Sequence, residues 1–180
     1  MKTLLHVGSG IASRKDVYIS DFQGNEWNHV RIDIDPDVNP DVIDDIRTLS
    51  QFRDNSVDGI FSSHNLEHLH DYDATIALIT FIRVLKPEGI CVICVPDFEL
   101  ACKLASEGKD RETLYESPAG PICPLDMIYG FRQYTINNNY QKHLNGFTVN
   151  SLKQKMETAG FKHCNVFKGQ VFDIVGMGQK

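Results

Sequence analysis

The chain has 180 residues, 42% hydrophobic and 23% charged, enough for one compact core buried between layers and too little for two ordinary domains. A formal net charge of -6 with no dense Lys/Arg cluster excludes a surface built to track nucleic-acid phosphates. The longest apolar stretches, such as Ile90 to Val95, are far short of the roughly 20 residues a bilayer span needs, and the apolar content excludes disorder.

The start, Met1 to Val7, has one charge and a short apolar run ending in Gly8-Ser9-Gly10, which reads as a first strand and not as a signal peptide. Five cysteines in a chain able to build its own core point to reduced thiols and a cytoplasmic protein. Val30 to Ile34 alternates apolar residues with Arg31 and Asp33 and is stopped by Pro36, predicting a second strand. Val57 to Phe61 and Gly89 to Val95 predict two more. The last is apolar on both faces, as a parallel sheet covered on both sides requires. Between those two strands Ile76, Leu78, Ile79, Ile82, Val84 and Leu85 recur at helical spacing, so Asp73 to Leu85 is a crossover helix closed by Lys86-Pro87-Glu88-Gly89.

From about residue 109 to 147 the sequence loses its period and holds Pro118, Gly120, Pro121, Pro124 and Gly130 among aromatic residues, an excursion over the edge of the sheet. A final helix, Val149 to Thr158, has Leu152, Met156 and Ala159 on one side and Gly160 as its stop. Phe161 to Val175 supplies a closing antiparallel pair of strands. The expected fold is therefore one α/β domain over residues 1–180, a Rossmann-like doubly wound sheet, mostly parallel with an antiparallel final strand.

Gly8 and Gly10 after the first strand form a tight turn whose missing side chains let backbone N–H groups approach a ligand. About 23 residues after Gly10, Asp33 ends the second strand, where a carboxylate can accept from both hydroxyls of a ribose; Asp35 competes for that role.

The ordered segments Leu5 to Gly10, Arg31 to Asp35, Phe61 to His68 and Arg83 to Gly89 resemble the motifs of S-adenosylmethionine-dependent methyltransferases of the methyltransferase-11 type. Leu85-Lys86-Pro87-Glu88-Gly89 is the most specific piece. The resemblance covers roughly residues 3–100, with Ala159-Gly160-Phe161 as a weaker echo. It implies S-adenosylmethionine as cofactor and S-adenosylhomocysteine as product. Gly8, Ser9 and Gly10 would lie against the methionine part, Asp33 would hold the ribose, and Ile34 would flank the adenine. Asp45 and Ile46 would sit beside the adenine ring, and Ser63 and His64 would face the methyl group.

The sequence departs from that pattern after Gly10. Ile11 to Asn28 has no apolar stripe, carries Gly24, and places Trp27 where the second strand should begin, so the helix usual there is expected to be short or absent. The helices that often precede the first strand and cover the cofactor are missing from this sequence.

Methyl transfer asks mainly for alignment and a dry site, with a general base only where the acceptor starts protonated. His64, His68 and His143 are the candidates, and His64 and His68 would share a face if residues 65–69 were helical. With Glu67 and His70 nearby the pair also has metal-ligand spacing, but Glu67-His68 already belongs to the resemblance and no metal is expected. Cys91 and Cys94 fall on opposite faces of a strand and are expected as buried small hydrophobes.

The excursion, with Asp126 to Phe131 and His143 to Phe147, is where a small or carbohydrate-like acceptor is expected. Neither a nucleic acid nor a membrane span is expected, and a homo-oligomer is left open. The alternative to an enzyme is a cofactor-binding or interaction module of the same fold without turnover. A nicotinamide-dependent oxidoreductase is disfavoured, because the third glycine expected at position 13 is Ser13.

Overall fold

A computed structural model describes residues 1–117, 120–136 and 139–180; Pro118 lies outside the described residues. Seven strands form the main sheet in the order β3-β2-β1-β4-β5-β9-β8. In chain order they are β1 (Lys2–Val7), β2 (Trp27–Asp33), β3 (Val42–Ile43), β4 (Val57–Ser63), β5 (Leu85–Pro96), then β8 (Lys162–Lys168) and β9 (Asp173–Gln179) after a small hairpin, β6 (Tyr115–Ser117) and β7 (Gly120–Ile122). Strands β3, β2, β1, β4 and β5 pair parallel, whereas β9 runs antiparallel to both β5 and β8.

Alternation along the inner strands fills a core on each face of the sheet. Leu5 and Val7 of β1 and Cys91, Ile93 and Val95 of β5 face α1 (Asp71–Val84) and α5 (Val149–Ala159). Leu4, Phe61, Val92 and Cys94 face the other way, toward Val17, Phe22 and Trp27. Cys91 and Cys94 are both fully buried and on opposite faces, as the strand period requires.

Helix α1 presents Ala74, Ala77, Leu78, Phe81 and Val84 to the sheet at helical spacing, with Asp71 and Asp73 in its first turn, where the dipole favours acids. It starts two residues before the expected helix and stops at Val84, because Leu85 is already extended and opens β5. Lys86 to Gly89, expected as a turn, is instead a bulge inside β5: Val57 pairs with Leu85 and Gly59 with Ile90, and Glu88 takes φ 65°. Lys86 closes the bulge on Asp58 at 2.8 Å. Helix α5 is capped reciprocally by Thr148 and Ser151 and ends at Gly160, φ 109°.

Between β1 and β2 there is no regular helix, only single turns at Arg14–Asp16 and Ser20–Phe22. The segment packs as a helix would all the same, since Val17 and Phe22 are buried and Phe22 meets Trp27 edge-on at 5.3 Å.

The excursion is more ordered than its composition suggests. It is preceded by α2 (Phe98–Ser106), which the sequence reading does not foresee, and contains α3 (Pro124–Tyr129) and α4 (Arg132–Thr135) beside the β6–β7 hairpin. Ala101, Ile122 and Met127 give it a small core of its own. The missed signal for α2 is Asp97, which caps it by accepting from Leu100 N–H at 3.0 Å, followed by Phe98, Ala101 and Leu104 at helical spacing. Among the described residues no helix is long and apolar enough to cross a membrane.

Candidate functional site

Chain order reverses between β1 and β4, the central neighbours of the sheet, which opens a crevice beyond their carboxyl ends. The glycine turn leaves β1 into this crevice, with Gly8 at φ 60° and Gly10 at φ 51°. A side chain at Gly8 would overlap the Asn65 amide, which reaches over from beyond β4 toward Val7 O and Ser62 Oγ. In front of Gly10 the space is open. Gly10 N–H donates to Asp33 Oδ2 at 2.7 Å, and Asp35 N–H donates to Asp33 Oδ1 at 3.0 Å. Each carboxylate oxygen keeps a further lone pair, so Asp33 can still accept from two hydroxyls.

Asp35 has a different role, since its carboxylate accepts from Asp37 N–H at 2.9 Å and caps the turn Pro36–Val38. Ile34 between them is exposed, a flat apolar surface beside the acid. Ser9 is buried, held by Ser9 N–H on Ile32 O at 3.1 Å. Asp45 is gripped by Arg47 at 2.6 Å, and Arg47 also reaches Asp73 of α1; the guanidinium holds the Asp45 carboxyl below its ordinary range. Ile46 is buried in the core, so it can offer a ligand only its backbone. The neighbouring Asp44, not foreseen, is buried and organises the turn by accepting from Asp45 N–H, Gln51 N–H and the Ser50 hydroxyl.

Beyond β4 lie Ser63 and His64, the latter at φ 49° with its N–H on Cys94 O at 2.9 Å. His64 and His68 do not share a helical face, because residues 66–68 form a single tight turn and His64 stands outside it. They meet instead through Glu67, whose side chain is 1% exposed. His64 Nδ1 is 3.5 Å and His143 Nε2 is 3.9 Å from Glu67 Oε1, and the His68 and His143 rings meet edge-on at 5.0 Å. Burial pushes the Glu67 carboxyl up, but the surrounding histidines outweigh it and hold it below its usual range. His64 loses basicity to burial and regains more from Glu67, ending above its ordinary value, whereas burial keeps His143 below. The three histidines singled out in the sequence therefore converge, and Glu67, which the sequence reading passes over as a family residue, is their centre.

The excursion is tied to this point. Leu144 and Asn145 donate their N–H groups to Glu67 O at 2.8 and 3.1 Å, and Phe147 pairs with Asp97 just beyond the end of β5. A small cleft beside Glu67 is lined by Pro96, Phe98, Met127, Asn145 and Phe147. A wider cavity of about 440 Å³, with Arg111, Cys123, Asp126 and Arg132 in its walls, opens within the excursion. From the segment between β1 and β2, the Tyr18 hydroxyl donates to Cys94 Sγ at 3.0 Å, and burial pushes that thiol up to about 11, so it is inert at neutral pH.

The sheet order, the glycine turn and the acid ending β2 define the class I S-adenosylmethionine-dependent methyltransferase architecture. The sequence profile described as "Methyltransferase domain" matches residues 5–93, and with the solved structures below it supports a class I S-adenosylmethionine-dependent methyltransferase. No curated protein matches it. Among solved structures it is similar to a SAM-dependent methyltransferase from Archaeoglobus fulgidus, at 16% identity and TM-score 0.63, over 99% of this chain and 86% of that one. A SAM-dependent methyltransferase from Methanosarcina mazei matches at 15% identity and TM-score 0.64, over 99% and 92%. The 1,6-didemethyltoxoflavin-N1-methyltransferase of Burkholderia thailandensis, solved with S-adenosylhomocysteine, matches at 16% and 0.58, over 99% and 70%. At these identities the likeness is one of fold.

Proposed function

We propose that this chain transfers the methyl group of S-adenosylmethionine to a small or carbohydrate-like acceptor, and that it works in the cytoplasm without nucleic acid. The observation that carries the reading is the meeting of Gly10 and Asp33 at 2.7 Å on the rim of the β1/β4 crevice, with open space in front of the glycine. The residues present fit the cofactor. Asp33 would accept from the ribose hydroxyls, Ile34 would cover the adenine, Asp45 and the Ile46 backbone would meet its polar edge, and Gly8 to Gly10 would border the methionine part. Bound there, the cofactor supplies a methyl group already activated on a sulfonium.

What is left to the chain is to align the acceptor and keep water out. The excursion, pinned to Glu67 and Asp97, would cover the acceptor, with Ser63 and His64 on the methyl side. His64 has a side chain 49% exposed against 11% for His143, and it takes the acceptor's proton where there is one. Isothermal titration with S-adenosylmethionine and S-adenosylhomocysteine tests the pocket; micromolar binding of either supports the reading, and binding of neither removes it.

A second reading, a cofactor-binding module without turnover, draws on the segment after Gly10, which offers no helix N-terminus to the ligand while Gly10 N–H is already spent on Asp33. Methylated product from any acceptor in a panel of small hydroxyl and amine compounds would end it.

A further inference from the structure

Glu67 is a buried carboxylate: both Oε atoms are shielded from solvent, and neither has a hydrogen-bond partner of ordinary geometry among the described residues. The nearest ring nitrogens, of His64 and His143, stand at 3.5 and 3.9 Å, too long for hydrogen bonds of ordinary strength. A carboxylate in that state is destabilising unless a positive charge meets it.

Around it His68 and His143 are prepared as ligands. The His68 ring nitrogen Nδ1 lies 3.0 Å from Lys142 O, and His143 Nδ1 lies 2.8 Å from Met127 O. A carbonyl can only accept, so each Nδ1 carries the proton and each Nε2 is left with its lone pair, the tautomer and ring anchoring that metal-binding histidines use. Ligand atoms of Glu67, His68 and His143 all lie within 4.8 Å of one another. An ion centred between three atoms at that separation needs each to close in by about 0.7 Å to reach ordinary zinc distances, within the play of a side-chain rotation.

We propose that Glu67, His68 and His143 form a binding site for a divalent transition-metal ion of the zinc class. Two imidazole nitrogens and one carboxylate oxygen suit zinc better than magnesium or calcium, which take all-oxygen shells. Three protein ligands leave a coordination position open, the pattern of catalytic rather than structural zinc. The ion would also staple the excursion, through His143, to the turn after β4. The site stands independently of the methyl-transfer reading, since it uses none of the residues assigned to the cofactor.

The test uses the full chain stripped with chelator and titrated with zinc and, separately, cobalt, alongside His68→Ala, His143→Gln and Glu67→Gln, with the exposed His163→Ala as control. The expected result is one equivalent of metal at micromolar affinity or tighter. Cobalt should give the visible bands of a low-symmetry nitrogen–oxygen site without sulfur-to-metal charge transfer, and the melting temperature should rise with zinc and return with chelator. Affinity should fall at least 10-fold in His68→Ala and His143→Gln, with the far-UV spectrum unchanged, and remain in His163→Ala. Should Glu67→Gln fail to fold, the two histidine variants carry the test. Equal metal uptake by wild type and both histidine variants, or a cobalt spectrum dominated by thiolate, overturns the proposal.

Discussion

In the turn after β1 the backbone N–H of Gly10 donates to Asp33 Oδ2 at 2.7 Å. One carboxylate thus fixes the shape of the glycine turn and, through its remaining lone pairs, offers the ribose its acceptors. Asp33→Ala removes both functions. The affinity for S-adenosylhomocysteine is expected to fall about 10- to 100-fold, the worth of one or two hydrogen bonds to a charged group. Asp35→Ala, which removes only a turn cap, should leave it within a few fold. Titrating both variants checks the assignment, and the reverse order would move the ribose contact to Asp35.

Gly8 and Gly10 share a left-handed backbone but differ in what faces them. Gly8→Ala drives a methyl group into the Asn65 amide, so it should lower stability by about 1–3 kcal/mol in urea unfolding. Gly10→Ala meets nothing and carries only the backbone cost of about 1–2 kcal/mol, yet its methyl points into the space assigned to the cofactor. Binding loss out of proportion to stability loss is therefore expected at Gly10, and the opposite balance at Gly8.

His6, buried in β1 5.1 Å from the Phe61 ring, is pushed down to about 4, first by burial and then by His29. The unfolded chain takes up its proton near pH 6.5, whereas the folded chain resists until about pH 4. Between those values the unfolded state binds more protons, so the neutral ring's contribution is complete above pH 6.5 and is lost as the pH falls toward 4. The loss amounts to about 3 kcal/mol. Urea midpoints of the wild type should drop across that window, and His6→Leu should flatten this part of the profile.

Asp97 is 2% exposed, caps α2 and meets Lys168 at 3.0 Å. Asp97→Ala should cost about 1–2 kcal/mol through the lost cap, whereas Lys168→Ala, removing a half-exposed partner, should cost less. Amide exchange over residues 98–106 is the direct measurement, and unchanged protection in Asp97→Ala would refute the capping role.

Strands β1, β2, β4 and β5 and helices α1 and α5 are legible because each buries a continuous or periodic set of its own residues, as with Leu4 to Val7 and with Ala74, Ala77, Leu78 and Phe81. Helix α2 escapes the sequence reading although Asp97 and Phe98 mark its start. Lys86 to Gly89 reads as a loop because its composition is that of a turn, while pairing with β4 on either side keeps it within the sheet. The segment after Gly10 reads as holding a short helix or none, and it holds only single turns. Its buried Val17 and Phe22, however, are spaced for no regular element and are placed only by the face of the sheet they cover.

Periodicity and turn chemistry are local properties of a few neighbouring residues, and they suffice for the parallel sheet, the crossover helix and the glycine turn with its acid. The meeting of His143 with Glu67 and His68 has no such local origin. The two segments are joined by hydrogen bonds such as that from His68 to the carbonyl of Lys142, 74 positions away. No spacing rule reaches across that distance; strand order and the docking of the excursion bring the three side chains to one point. The same docking sets the burial of Glu67, and burial makes a carboxylate without a hydrogen bond among the described residues a demand for positive charge instead of one more solvated acid.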